Sequence, residues 1–170
     1  LRRVLSYLKG TKYMKLTLSA DNFSIIRWWA DTSHNIHWDC KGHGGNMMTL
    51  GKGAVISTSR KLKLNTKSLT ESELVEADNS LIKILHTKYF IEAQGYTIDQ
   101  NILFQDNQAT MRLEINGQLS SGKNTKHIRA KYFFIKDVIE RGDVEVRHCP
   151  TAQMWADIMT KPKQGVSFYR

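Results

Sequence analysis

Cysteine and proline are scarce in this sequence of 170 residues, which holds 2 of each. The pair Cys40 and Cys149 makes no disulfide framework, so a packed core has to hold the fold together and a reducing, intracellular setting is expected. No stretch approaches the roughly 18 consecutive apolar residues of a membrane span, which argues against a membrane partner. Repeats, low-complexity tracts and Pro/Ser-rich linkers are also missing, so one compact unit is expected. Acidic residues are in the minority: 16 Asp+Glu face 25 Lys+Arg, a formal net charge of +9. That imbalance predicts a polyanionic partner without naming it. The chain opens Leu1-Arg2-Arg3 and its first methionine is Met14, which predicts a fragment of a longer translation product with no secretory leader. What is present is ordinary globular material, 41% hydrophobic and 9% aromatic, enough to bury one core.

Periodicity sets out the elements. Leu1, Val4, Leu5 and Leu8 have helical spacing, and Gly10 closes that helix. Lys15 to Ser19 alternates like a short strand, and Ser24 to Asp31 reads as an apolar strand ending in a carboxylate. Asn46 to Leu50 and Ala54 to Ser59 predict two strands joined through Gly51-Lys52-Gly53, a hairpin signal. Ser68 to Gln94 is the longest helical pattern, with Leu74, Ala77, Leu81, Ile84 and Leu85 on one face and Gly95 to stop it. A strand at Ile102 to Gln105, helices at Ala109 to Ile115 and Ile128 to Arg141, a strand at Val144 to His148 and a short helix to Met159 complete the chain. Antiparallel strands followed by βα units predict an α/β fold, a mixed sheet with helices on its faces.

Four carboxylates fall at the ends of these elements: Asp31, Glu73, Asp106 and Asp157. Each has a local explanation. Asp31 suits a strand-to-turn residue, and Glu73 suits a capping box with Thr70, as Glu71 does with Ser68. Asp106 suits the N-cap of the next helix, and Asp157 a solvated helical charge. As a set they suit a different chemistry. Acids clustered in a basic chain need a neutralising divalent cation, and Mg²⁺ is held by a few carboxylates together with substrate phosphates. Two such ions ~4 Å apart serve phosphodiester hydrolysis.

The motifs around these acids resemble, over nearly the whole chain, the ribonuclease H domain of copia-type LTR retrotransposon Pol polyproteins. Leu1 to Thr11 looks like the segment that links reverse transcriptase to RNase H. Trp29-Ala30-Asp31, Leu64 to Leu74 with its two glutamates, and Asp106-Asn107-Gln108-Ala109 resemble the three successive acidic motifs. Thr125-Lys126-His127-Ile128 matches a further signature, and Cys149-Pro150-Thr151, Ala156-Asp157-Ile158 and Thr160-Lys161-Pro162 match the closing one.

The resemblance implies an RNase H-like fold with a five-stranded mixed sheet. It divides the chain into a reverse transcriptase tail at 1–20, the domain proper at 21–165 and a C-terminal tail at 166–170. It implies cleavage of the RNA strand of an RNA–DNA hybrid with two Mg²⁺ ions, Mn²⁺ being a substitute. In these roles Asp31 bridges both ions, Glu73 and Asp106 hold the ion at the leaving group, and Asp157 holds the ion that activates water. Glu73 is preferred to Glu71 because an apolar residue follows it. Asn65, Asn107 and Gln108 are expected in the minor groove, and Lys67, Lys123 and Lys126 on phosphates, with His127 as a substrate-side residue. Implied partners are the hybrid duplex and the polymerase of the same polyprotein, within a cytoplasmic virus-like particle. Leu69, where relatives usually carry Ser or Thr, and Lys163, where an apolar residue is common, depart from the pattern without removing a ligand.

Two alternatives share this fold: a catalytically decayed nucleic-acid-binding remnant, and an integrase or transposase branch, whose His/Cys zinc module this chain lacks. His34, His37, Cys40 and His43 recur every third residue and mimic a zinc site. Structural zinc sites pair Cys-x₂₋₄-Cys with a distant His pair, so an ordinary loop is expected there. Cys149 is expected to be a buried residue.

Overall fold

The computed structural model describes residues 1–116 and 126–163. Five strands form one sheet: β2 (Ile25–Ser33), β3 (His43–Thr49), β5 (Ile56–Lys61), β6 (Gln100–Gln105) and β7 (Glu145–His148), in the order β5-β3-β2-β6-β7. The β2/β3 and β3/β5 pairs are antiparallel, and the β2/β6 and β6/β7 pairs are parallel. This is the mixed sheet that the element order predicts. A separate two-stranded ribbon joins β1 (Ser19–Ala20) to β4 (Gly51–Lys52). The strand expected at Lys15 to Ser19 is therefore confined to Ser19 and Ala20. Gly51 and Lys52, read from sequence as hairpin turn, are ribbon residues instead.

In the central strand β2, an apolar run in the sequence, successive side chains face opposite ways. Ile26, Trp28 and Ala30 point to one face and join the main core, with Leu74, Ala77, Leu81 and Ile84 of α2 (Leu69–Ala93) and Tyr132, Ile135 and Val138 of α4 (Lys126–Glu140). Trp29 points to the other face, where it joins Cys149, Met154 and Ala156. Its ring stacks between Phe104 and Trp155, with centroids 5.1 and 4.5 Å away. Cys149 is buried and both cysteines are free.

α2 starts at Ser68, whose Oγ accepts from the Glu71 N–H at 3.2 Å, while Glu71 Oε2 accepts from the Lys67 N–H at 2.7 Å. Glu71 is thus spent on the helix start. α3 (Gln108–Asn116) is capped by Asn107, not by Asp106: Asn107 Oδ1 accepts from the Ala109 N–H at 2.9 Å and the Thr110 N–H at 3.3 Å. The short helix expected up to Met159 is broken into a 3₁₀ turn (Thr151–Gln153) and α5 (Asp157–Thr160). α5 lies on β2 and β3. It can come this close because Gly45 has no side chain. A Cβ there would stand 2.5 Å from Met159 Cβ and 3.0 Å from Thr160 Cγ2. At the N-terminus, α1 (Arg2–Thr11) has no buried residue.

Candidate active site

Parallel pairing brings two acids together. β2 and β6 are in register at Trp29 and Phe104, so Asp31 and Asp106, each two residues further, stand at the same level and on the same side. The first turns of α2 add Glu73. These three carboxylates line one open cleft of about 380 Å³ with Thr32, Leu69, Asn107, Gln108, Ala109 and Lys161.

Each acid has a dedicated hydroxyl. Thr160 Oγ1 donates to Asp31 Oδ2, Thr110 Oγ1 donates to Glu73 Oε2 at 2.7 Å, and Thr151 Oγ1 donates to Asp106 Oδ2 at 3.1 Å. Asp157, buried on α5, lines a neighbouring groove. The Lys161 ammonium bridges it to the cleft, 2.5 Å from Asp157 Oδ1 and 3.6 Å from Asp31 Oδ2. Lys163 Nζ pairs with the other Asp157 oxygen.

The electrostatics set Glu73 and Asp31 apart from Asp157. Burial raises the proton affinity of Glu73, and the nearby charges of Asp106 and Asp31 add to it, with Thr110 opposing, for a pKa of about 7. Asp31 is raised for the same first reason, with Thr160 and Lys161 opposing and the charges of Asp106 and Asp157 reinforcing. For Asp157 burial is outweighed by hydrogen bonds from Lys161 and Lys163, which hold its carboxyl below the usual range. Behind Glu73 lies Glu114, fully buried and held by Gln105 Nε2 at 3.0 Å. Burial pushes its pKa up to about 8, Glu73 adding to the rise against the Gln105 hydrogen bond. Its second oxygen has no hydrogen-bond partner among the described residues.

Among the described residues, no three His, Cys, Asp or Glu side chains converge into a self-sufficient metal cage. The donor set nevertheless fits a hard divalent cation. It consists of carboxylate oxygens whose negative charges are costly to one another, in a cleft open to solvent. Mg²⁺ characteristically takes only one or two protein carboxylates and completes its shell with water and phosphate.

Of the remaining sequence-predicted residues, Asn107 and Gln108 line the cleft. Asn65 does not: its amide donates to the Asp39 carbonyl at 3.3 Å, in the loop after β2. Lys67 is exposed at the start of α2. Lys126 and His127 open α4, and Lys123 lies outside the described residues. The tail at 166–170 also lies outside them. Thr160, Lys161, Lys163, Thr110, Thr151 and Glu114 gained no role from sequence. The signal for Lys161 was the Thr160-Lys161-Pro162 motif, which ties both residues to the cleft.

Comparison with known proteins agrees with the geometry. A viral protease-reverse transcriptase from foamy virus, solved with double-stranded DNA, superposes with a TM-score of 0.57, covering 85% of this chain and 96% of that one at 15% identity. The RNase H1 LC11, isolated from compost and solved with an RNA/DNA hybrid, gives 0.55 over 79% of this chain and 92% of that one, at 14% identity. This is the RNase H fold. In sequence, the chain is 29% identical over 175 residues to the retrovirus-related Pol polyprotein from transposon RE2 of Arabidopsis thaliana. The match takes in 99% of this chain and 12% of that polyprotein, so the RNase H fold here corresponds to about an eighth of the relative's length. No family model matches. The copia-type resemblance carried by the motifs thus extends across nearly the entire chain.

Proposed function

We propose that this RNase H fold is a divalent-metal-dependent ribonuclease of a copia-type retrotransposon polyprotein, cutting the RNA strand of an RNA–DNA hybrid. The observation that carries the reading is the meeting of Asp31, Glu73 and Asp106 in one solvent-open cleft at the ends of two parallel strands. Asp31, Glu73, Asp106 and Asp157 are the residues that would hold two Mg²⁺ ions, which when bound supply a more acidic water and a counter-charge for the leaving oxygen.

The chain's own groups prepare that site. Thr160, Thr110 and Thr151 each fix one carboxylate oxygen by donating to it. Lys161 offsets negative charge between Asp31 and Asp157. Asn107 and Gln108 stand on the cleft wall, where amides suit the 2′-hydroxyls of an RNA strand. Lys67, Lys123 and Lys126 are assigned to the duplex backbone and His127 to the substrate side. Residues 1–20 are read as the tail of the polymerase segment, residues 21–165 as the nuclease and 166–170 as a tail. Assembly with the polymerase in a virus-like particle belongs to the same proposal.

The ion pairs that Lys161 and Lys163 make with Asp157 favour a second reading, a binding remnant in which lysines have taken over charge compensation. One assay decides. The full chain is given an end-labelled hybrid and Mg²⁺, and products are resolved by length. Cleavage of the RNA strand, lost in Asp31→Asn with hybrid binding retained, supports the nuclease. Binding by the unmutated chain without cleavage supports the remnant.

A further inference from the structure

A second constellation joins the loop between β2 and β3 to the start of β3 and to β5, and none of His37, His43 and Ser59 lines the acidic cleft. His37 Nε2 stands 3.1 Å from His43 Nδ1, and His43 Nε2 stands 2.8 Å from Ser59 Oγ. Ser59 Oγ donates to the Met159 carbonyl at 2.7 Å.

The end of this chain fixes its direction. A carbonyl only accepts, so the single Ser59 proton is committed to Met159, and Ser59 must accept from His43 Nε2–H. In neutral His43 the proton is therefore on Nε2, and Nδ1 presents a lone pair toward His37. Burial, with the neighbouring His37, lowers the proton affinity of His43 and keeps it in that neutral form.

We propose that His37 and His43 form a binding site for a divalent transition-metal cation of the zinc class, held through His37 Nε2 and His43 Nδ1 with water completing the shell. Two nitrogens at 2.0–2.1 Å from a tetrahedral ion are separated by about 3.3 Å, so the observed 3.1 Å needs only a small opening. Binding moves the His37 proton from Nε2 to Nδ1 and releases none. The Ser59 contact is what a ligating imidazole ordinarily has on its other nitrogen, an acceptor that fixes tautomer and ring plane. Imidazole pairs suit zinc, copper and nickel rather than Mg²⁺.

The other two members of the every-third-residue pattern do not take part. His34 Nδ1 is 2.9 Å from Ser72 Oγ, and Cys40 is exposed. Among the described residues no third ligand converges, so the site is open to water, not a closed structural one. Both imidazoles are half-buried and reachable. Lys61, the cross-strand partner of His43, and Lys41 are both paired with Asp39, at 2.7 and 3.7 Å.

Calorimetric titration of the full chain with Zn²⁺, in excess Mg²⁺ to occupy the acidic cleft, tests this. One equivalent is expected to bind, with His37→Ala, His43→Gln and Ser59→Ala each weakening it by about tenfold or more. Cys40→Ser and His34→Ala are expected to bind as the parent does. Absence of saturable uptake, parental affinity in His37→Ala, or loss of binding in Cys40→Ser overturns the site. Nitrogen-15 spectra of the unmutated chain give a reading independent of variant folding. Zn²⁺ should move the His37 Nε2 and His43 Nδ1 resonances, and shifts confined to His86 or His148 overturn the proposal as well.

Discussion

At the residue scale, the cleft's acids depend on hydroxyls that donate to them from other elements. Thr160 gives its hydroxyl proton to Asp31 across 129 residues of sequence. Removing it frees the carboxylate to rotate, so Thr160→Ala is expected to lower hybrid cleavage by about tenfold, in line with losses seen when a metal ligand's hydrogen-bond partner is removed. Thr160→Ser keeps the donor and should restore most of the rate. Equal loss in both variants would make the contact one of packing. Glu114 allows a sharper statement about pH. Its carboxyl goes from an ordinary value of 4.5 to about 8 on folding, so between those pH values the native state holds a proton that the unfolded chain has released. Stability contributed by that proton is complete below about 4.5 and is lost as pH rises through about 8. The local slope approaches about 1.4 kcal/mol per pH unit. Glu114→Gln is expected to remove this slope, so that its stability relative to the parent rises from about pH 4.5 to about pH 8 and then levels off. Denaturant melts from pH 5 to 9 on both proteins measure it, and parallel curves would show that Glu114 is not the group responsible.

At the element scale, β2 was legible as an apolar run ending in a carboxylate and α2 as a 3.6-residue stripe. The stripe of Leu74, Ala77, Leu81 and Ile84 became the buried face of α2, whereas the assignment of Ile26, Trp28 and Ala30 to one face of β2 and Trp29 to the other was not legible, because both faces are apolar. Asp106 was legible as an acid at a strand end and parallel register sets it level with Asp31, although β2 does not end at Asp31 but runs on to Ser33. The β1/β4 ribbon was not legible. Two-residue strands have no period, and the glycines that permit their pairing look like turn glycines. The supports of the site were hidden for another reason. Thr160 and Lys161 meet Asp31 only because α5 folds back onto the sheet, which no local pattern encodes. That approach depends on Gly45. A methyl group there enters the space of Met159 and Thr160 and must push α5 off β3. Overpacking of this kind typically costs about 1–3 kcal/mol. Gly45→Ala is therefore expected to lower the melting temperature and, by shifting Thr160 and Asp157, to reduce cleavage of hybrid further than stability alone accounts for. Wild-type turnover in a folded Gly45→Ala would show that α5 can move without disturbing the acids.

At the scale of the whole molecule, the excess of nine positive charges is a property of the total and not of each face. Several cations are already paired within the fold: Arg60 with Glu76, Lys61 with Asp39 and Lys131 with Asp78. The acidic cleft itself repels phosphate until its charge is offset. Attraction must therefore come from cations around the cleft, and it must be electrostatic and indifferent to sequence. Such binding releases counterions, so hybrid affinity should fall linearly in a plot of log affinity against log salt, by at least roughly tenfold between 50 and 200 mM. Lys67, exposed beside the start of α2, stands near enough to Leu69 and Glu73 in sequence to meet a backbone lying over the cleft. Lys67→Ala is expected to weaken binding uniformly across hybrid sequences and to reduce the salt slope by about one. Fluorescence anisotropy with Ca²⁺ in place of Mg²⁺ measures binding with turnover suppressed. An unchanged slope would remove Lys67 from the footprint, whereas a flat salt dependence in the parent chain would mean that the net charge serves something other than nucleic acid.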